Sequence, residues 1–135
     1  MFRQGDLDLN HENSKALTRR YPYLFRSAIS KDYYFSFECG DGWFDLIDQL
    51  CRNLEQMIEP FMDDMEIDND VIPCALQVKE KWGTLRFYIS PSTDEMEEAI
   101  QKAQEESSIV CEMCGNPGKF SDTGWCMVRC EGCKG

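Results

Sequence analysis

Cys111-Glu112-Met113-Cys114-Gly115 and Cys130-Glu131-Gly132-Cys133 decide how the C-terminal end of this chain is built. Each pair has two residues between its cysteines, and fifteen residues separate Cys114 from Cys130. C-x2-C-x15-C-x2-C is a zinc spacing. A tetrahedral ion needs four soft ligands that converge from two directions. Each C-x2-C turn delivers two sulfurs from one bend, and the intervening stretch returns the second bend to the first. Gly115 and Gly132 stand where the backbone must fold tightly. The pattern predicts one metal ion, Zn²⁺, held by Cys111, Cys114, Cys130 and Cys133.

Two disulfides would be the alternative in an oxidising compartment. Met1 to Asn10 is mixed and acidic and lacks the basic, apolar, small-residue order of a leader. The chain therefore reads as cytoplasmic, with reduced thiols. Cys39, Cys51 and Cys74 are scattered among apolar residues, as small core side chains are. Cys126 is a possible replacement for one of the four ligands, although the Trp-Cys-Met-Val-Arg run around it reads as a short strand. A catalytic zinc site keeps three protein ligands and one open position. Here four cysteines close the shell, and the single histidine, His11, is far upstream. The predicted zinc is structural. A tail of this size cannot order itself on apolar burial alone, whereas a structural zinc contributes apparent binding energies of about 10–16 kcal/mol.

The 135 residues suffice for one ordinary domain plus this tail, and 42% hydrophobic content supports a core. No stretch approaches the ~20 apolar residues of a membrane span. With 25 acidic against 14 basic side chains the formal charge is -11, which repels nucleic-acid phosphates and anionic membranes alike.

Hydrophobic periodicity places the remaining elements. Asn13 or Ser14 is expected to cap a short helix through Lys15, Leu17 and Arg20. Tyr21, Tyr23, Leu24 and Phe25, then Tyr33 to Phe37, read as core filling, and Phe35 with Phe37 alternates as in a strand. Trp43, Ile47, Leu50, Leu54, Ile58 and Phe61 make one apolar stripe, predicting a long amphipathic helix over about 42–59, ended by Pro60. The run Asp63 to Asp70 reads as a solvated acidic loop. Asn69 and Ala75 stand where a calcium loop needs glycine and glutamate. A hairpin over about 74–90 turns at Gly83, with Cys74, Leu76, Val78, Leu85, Phe87 and Ile89 on the apolar face. Its other face carries Gln77, Lys79, Lys81, Arg86 and Tyr88, a basic and aromatic patch on an acidic molecule. Ser92 with Glu95 forms a capping box for a second helix over about 93–108. The predicted fold is α+β: a small antiparallel sheet on two helices, residues 1–110, with a zinc ribbon, residues 111–135, packed on it.

Three blocks resemble a family of small, uncharacterised phage and bacterial proteins. They are Gly40-Asp41-Gly42-Trp43-Phe44-Asp45-Leu46, the hairpin from Gln77 to Tyr88 with Trp82 in place of the usual Phe, and the Cys-x-x-Cys-Gly-x-Pro-Gly knuckle from Cys111 to Gly118. In that family the closing pair is often Cys-x-x-His, where this chain has Cys130 and Cys133. The resemblance implies an accessory protein and no specific activity.

No nucleophile–base constellation, phosphate loop or open metal site stands out. The expectation is a non-catalytic zinc-stapled binding protein that recognises or inhibits a host macromolecule, most simply a protein. Lys79, Lys81, Arg86 and Tyr88 are the candidate binding patch. Nucleic-acid binding by the ribbon and that patch, or mimicry of DNA by the acidic surface, are the alternatives.

Overall fold

The computed structural model describes residues 9–31 and 34–133, so residues 1–8 of the acidic stretch read for a leader, and Tyr33, lie outside the described residues. Helix α1, His11–Arg20, starts about one turn earlier than expected. Asn10, not Asn13 or Ser14, is its cap, with Oδ1 accepting from the Asn13 N–H at 2.8 Å. Asn10 is fixed from outside, because its own N–H donates to Asp41 Oδ1 at 2.9 Å. That long-range partner is invisible to a local reading. A short helix α2, Arg26–Ser30, follows. Phe25, Phe35 and Phe37 form a ring cluster with centroids 4.9–5.5 Å apart, so the aromatics here fill the core. The expected strand at Phe35 shrinks to β1, Phe37–Glu38, because the Phe35 N–H donates to the Thr18 hydroxyl rather than to a ladder.

A single 3₁₀ turn, Asp41–Trp43, leads into α3, Phe44–Asp63. Trp43, Ile47, Leu50, Leu54 and Ile58 are buried, as the stripe requires. Pro60 does not end the helix, which runs on to Asp63. The proline sits in the last turn, where only one intrahelical bond is forfeited, and Phe61 and Met62 beyond it pack on the core. The acidic loop is locally organised: Asp64 Oδ1 accepts from the Glu66 N–H, and the Arg26 guanidinium donates to the Asn69, Ile72 and Pro73 carbonyls.

Strands β2, Cys74–Lys81, and β3, Thr84–Ser90, form the antiparallel hairpin. The sheet is not wholly antiparallel, since β1 joins β2 in parallel, with Phe37 beside Val78. The expected inward face fails at Leu76, which is 62% exposed. A bulge between Ala75 and Gln77 shifts the register, so Ala75 turns inward and Leu76 outward. Beyond the bulge, Val78, Leu85, Phe87 and Ile89 face the core as read.

Helix α4, Asp94–Ser107, is capped by Thr93, not Ser92: Thr93 Oγ1 accepts from the Met96 N–H at 3.2 Å. Met96, Ile100 and Ala103 are buried against the sheet and α3. The Ser107 hydroxyl accepts from the Leu85 N–H at 2.9 Å, tying the end of α4 to the hairpin. The ribbon's two strands, β4, Lys119–Ser121, and β5, Met127–Arg129, pair antiparallel. Among the described residues no helix is long and apolar enough to cross a membrane.

Candidate metal centre

The sulfurs of Cys111, Cys114, Cys130 and Cys133 all lie within 4.8 Å of one another, and all four cysteines are free thiols. Cys114 Sγ and Cys130 Sγ are 3.5 Å apart. Four sulfurs each ~2.3 Å from a tetrahedral zinc stand roughly 3.8 Å from each other, so the spacing fits. Cys126 is outside this group. Cys111 is fully buried and Cys114 exposed, so one side of the cluster faces solvent.

The electrostatics suit a cation. Burial pushes the Cys111 thiol up, but backbone N–H groups of Cys130, Cys114 and Met113 aimed at its sulfur outweigh this and bring it down to about 7. Such donors favour the thiolate, the form that ligates metal. Cys133 is pushed up to about 12, chiefly by hydrogen bonds with the Cys130 and Cys114 thiols. Four cysteines are thus placed to hold one metal ion.

The cluster is anchored to the core by residues the spacing rule does not mention. Glu112, between Cys111 and Cys114, is 1% exposed. Its carboxylate accepts from the Gly40 N–H at 2.9 Å and pairs with Arg129 at 3.4 Å. Its backbone is held on both sides: the Gly42 N–H donates to the Glu112 carbonyl at 2.7 Å, and the Glu112 N–H to the Val128 carbonyl at 3.1 Å. Burial pushes the Glu112 carboxyl up, and the Gly40 and Arg129 donors offset this only in part. Trp43 Nε1 donates to the Val110 carbonyl at 2.9 Å, just before Cys111. The approach is too close for side chains. A Cβ on Gly42 would lie 2.2 Å from the Cys111 carbonyl oxygen, and one on Gly40 2.4 Å from that of Glu112. The Gly40-Asp41-Gly42-Trp43 block is therefore the socket into which the first C-x2-C turn fits.

The hairpin tip meets the second half of the ribbon. Trp82 and Gly83 both have positive φ, 56° and 86°, as a two-residue type I′ turn requires. A Cβ on Gly83 would lie 2.8 Å from the Phe120 ring and 3.1 Å from the Met127 nitrogen. Val128 is buried, but Phe120 and Trp125 stay exposed at 42% and 59%. The tail thus packs on the body through Val128 and the Glu112 knuckle, and Trp125 stands out from it.

The basic patch exists as one face. Lys79 is opposite Arg86, Gln77 opposite Tyr88, and Lys81 opposite Thr84. Like charges directly opposite are unfavourable. Even so, among the described residues none of Lys79, Lys81 and Arg86 forms an ion pair, on a molecule rich in carboxylates. Gln77 instead donates to Glu38 at 3.0 Å. Lys81 ends this face beside the hairpin tip, where it lines a cleft with Trp82 and Trp125.

No protein-family model matches the chain, and no curated protein or solved structure shows significant similarity to it. The contacts of Glu112, Gly40 and Gly42 at the cysteine cluster were not foreseen from the sequence. Two glycines two residues apart before a tryptophan were the available signal for the socket. Nothing in the sequence marks a glutamate between two cysteines as buried.

Proposed function

We propose that this protein is a non-catalytic recognition module, in which one structural zinc ion held by Cys111, Cys114, Cys130 and Cys133 fixes a ribbon against an α+β body and the joined surface binds a protein partner. The observation that carries the reading is that all four thiols converge in one cluster whose first C-x2-C turn packs closely against Gly40 and Gly42. A site embedded in this way serves as a staple. When bound, zinc supplies cross-linking energy that is also folding energy. Zinc is the favoured ion because an all-cysteine set at this spacing suits it. A reducing cytoplasm follows from the need for free thiolates. The resemblance of the three sequence blocks supports a phage or bacterial accessory protein acting on a host macromolecule.

Nucleic acid is the second reading, favoured by the unpaired cations of the hairpin and opposed by the charge of -11. Immobilised zinc-loaded protein incubated with bacterial lysate tests the main reading. A saturable protein partner, retained after nuclease treatment and lost when chelation removes the metal, is the expected outcome. Lysate yielding only nuclease-sensitive material would replace it with the second reading.

A further inference from the structure

Trp82 and Trp125 come from different parts of the chain and are 67% and 59% exposed. Together with Glu80, Lys81, Gly124 and Cys126 they line one open cleft of about 410 Å³ between the hairpin tip and the ribbon. Large exposed aromatics brought together at one cleft are characteristic of interaction sites. Trp82 adds a second observation. Its φ of 56° is the left-handed conformation, which Asn or Gly adopts readily and a bulky aromatic does not. With most of its surface in water, Trp82 gains little packing to offset that strain. Strain kept at an exposed position points to use.

The cleft's surroundings define the occupant. Glu80 is turned inward, its carboxylate accepting from the Gly83 N–H at 2.7 Å. Lys81 is exposed and unpaired, and Lys79 and Arg86 continue the same face along the hairpin, also without ion pairs among the described residues. The cleft is too open to enclose a small ligand, which needs most of its surface buried. Three cations fall short of the 6–10 phosphate contacts of a strong nucleic-acid binder, and the acidic remainder repels a polyanion.

We infer that the Trp82–Trp125 cleft is the docking site for a segment of a protein partner that inserts one apolar side chain between the two indoles and sets carboxylates against Lys81 and Lys79. This deepens the recognition reading and rests on it. The ribbon must be docked for the cleft to exist, so the metal centre and the recognition surface are linked.

A random 12-residue peptide library displayed on phage is the probe. It is selected on zinc-loaded protein, and (dT)20 is titrated in parallel by tryptophan fluorescence. The expected peptides carry an apolar residue flanked by Asp or Glu. Their affinity should fall at least tenfold in Trp125→Ala and in Lys81→Glu. Trp82→Asn is the discriminating variant: it should lose binding while raising the urea midpoint, because Asn-Gly suits this turn better. Zinc content of one per chain in every variant shows that folding persists. Peptides that bind the wild type and all three variants equally would overturn the cleft while leaving a recognition module elsewhere on the surface. Failure to select any peptide would overturn the proposal. So would quenching by (dT)20 with steep salt dependence in place of peptide binding.

Discussion

Replacing Gly42 by alanine tests whether the metal knuckle is an integral part of the core. The added Cβ would lie 2.2 Å from the Cys111 carbonyl oxygen and 2.6 Å from both the Cys114 nitrogen and the Glu112 carbonyl carbon. All three are backbone atoms, so no side-chain rotation relieves the overlap and the knuckle must move away. That movement loosens the Gly42–Glu112 bond of 2.7 Å, the Gly40 N–H bond to the Glu112 carboxylate and the Trp43–Val110 bond. Two neutral hydrogen bonds at ~1 kcal/mol and one to a charged group at ~1.5–3 kcal/mol give a loss of about 3–5 kcal/mol. Because docking and metal binding favour the same state, zinc affinity should weaken by roughly 10²- to 4 × 10³-fold, at ~1.4 kcal/mol per tenfold. Urea unfolding of the zinc-loaded protein measures the first quantity, and competition with a chromophoric chelator the second. Gly124→Ala is the control: Gly124 has φ of 85° but nothing within 4 Å, so it should lose only ~1–2 kcal/mol from backbone strain. A Gly42→Ala protein with wild-type urea midpoint and zinc affinity would refute the socket.

Cys133→Ser should drop the bound metal below one per chain and expose the β4 and β5 amides to rapid hydrogen exchange, while α3 and the hairpin keep measurable protection. Leu76→Thr should change stability by less than ~0.5 kcal/mol, because the bulge turns Leu76 out, whereas Val78→Ala should cost about 1–3 kcal/mol, as loss of buried methyls does. Tyr21 is raised from 10.0 to about 12 by burial first and then by the hydrogen bond its hydroxyl donates to Asp48. A folded value above the unfolded one means that its stabilising contribution is present below pH 10 and is lost as pH rises towards 12. Urea midpoints across that window should fall more steeply for the wild type than for Tyr21→Phe.

Most elements were legible because they follow from short-range patterns. The α3 stripe from Trp43 to Ile58, the alternation from Leu85 to Ile89 and the paired C-x2-C turns each repeat a local rule over several residues. The errors occur where a distant group decides. Asn10 caps α1 because Asp41 holds it in place. Phe35 leaves the ladder because Thr18 offers a hydroxyl. Leu76 turns outward because one extra residue in β2 reverses the alternation, and no residue type there announces a bulge. At the candidate metal centre the four cysteines that cluster were readable from spacing alone. Their attachment was not, since Gly40 and Gly42 act through the absence of side chains opposite a turn seventy residues away.

X-ray absorption at the zinc edge of the purified protein, combined with the metal-to-protein ratio, tests the central claim most directly. One zinc per chain with four sulfur neighbours at ~2.3 Å is the predicted result. A nitrogen or oxygen neighbour in the first shell, fewer than four sulfurs, or a metal-free folded protein would contradict it.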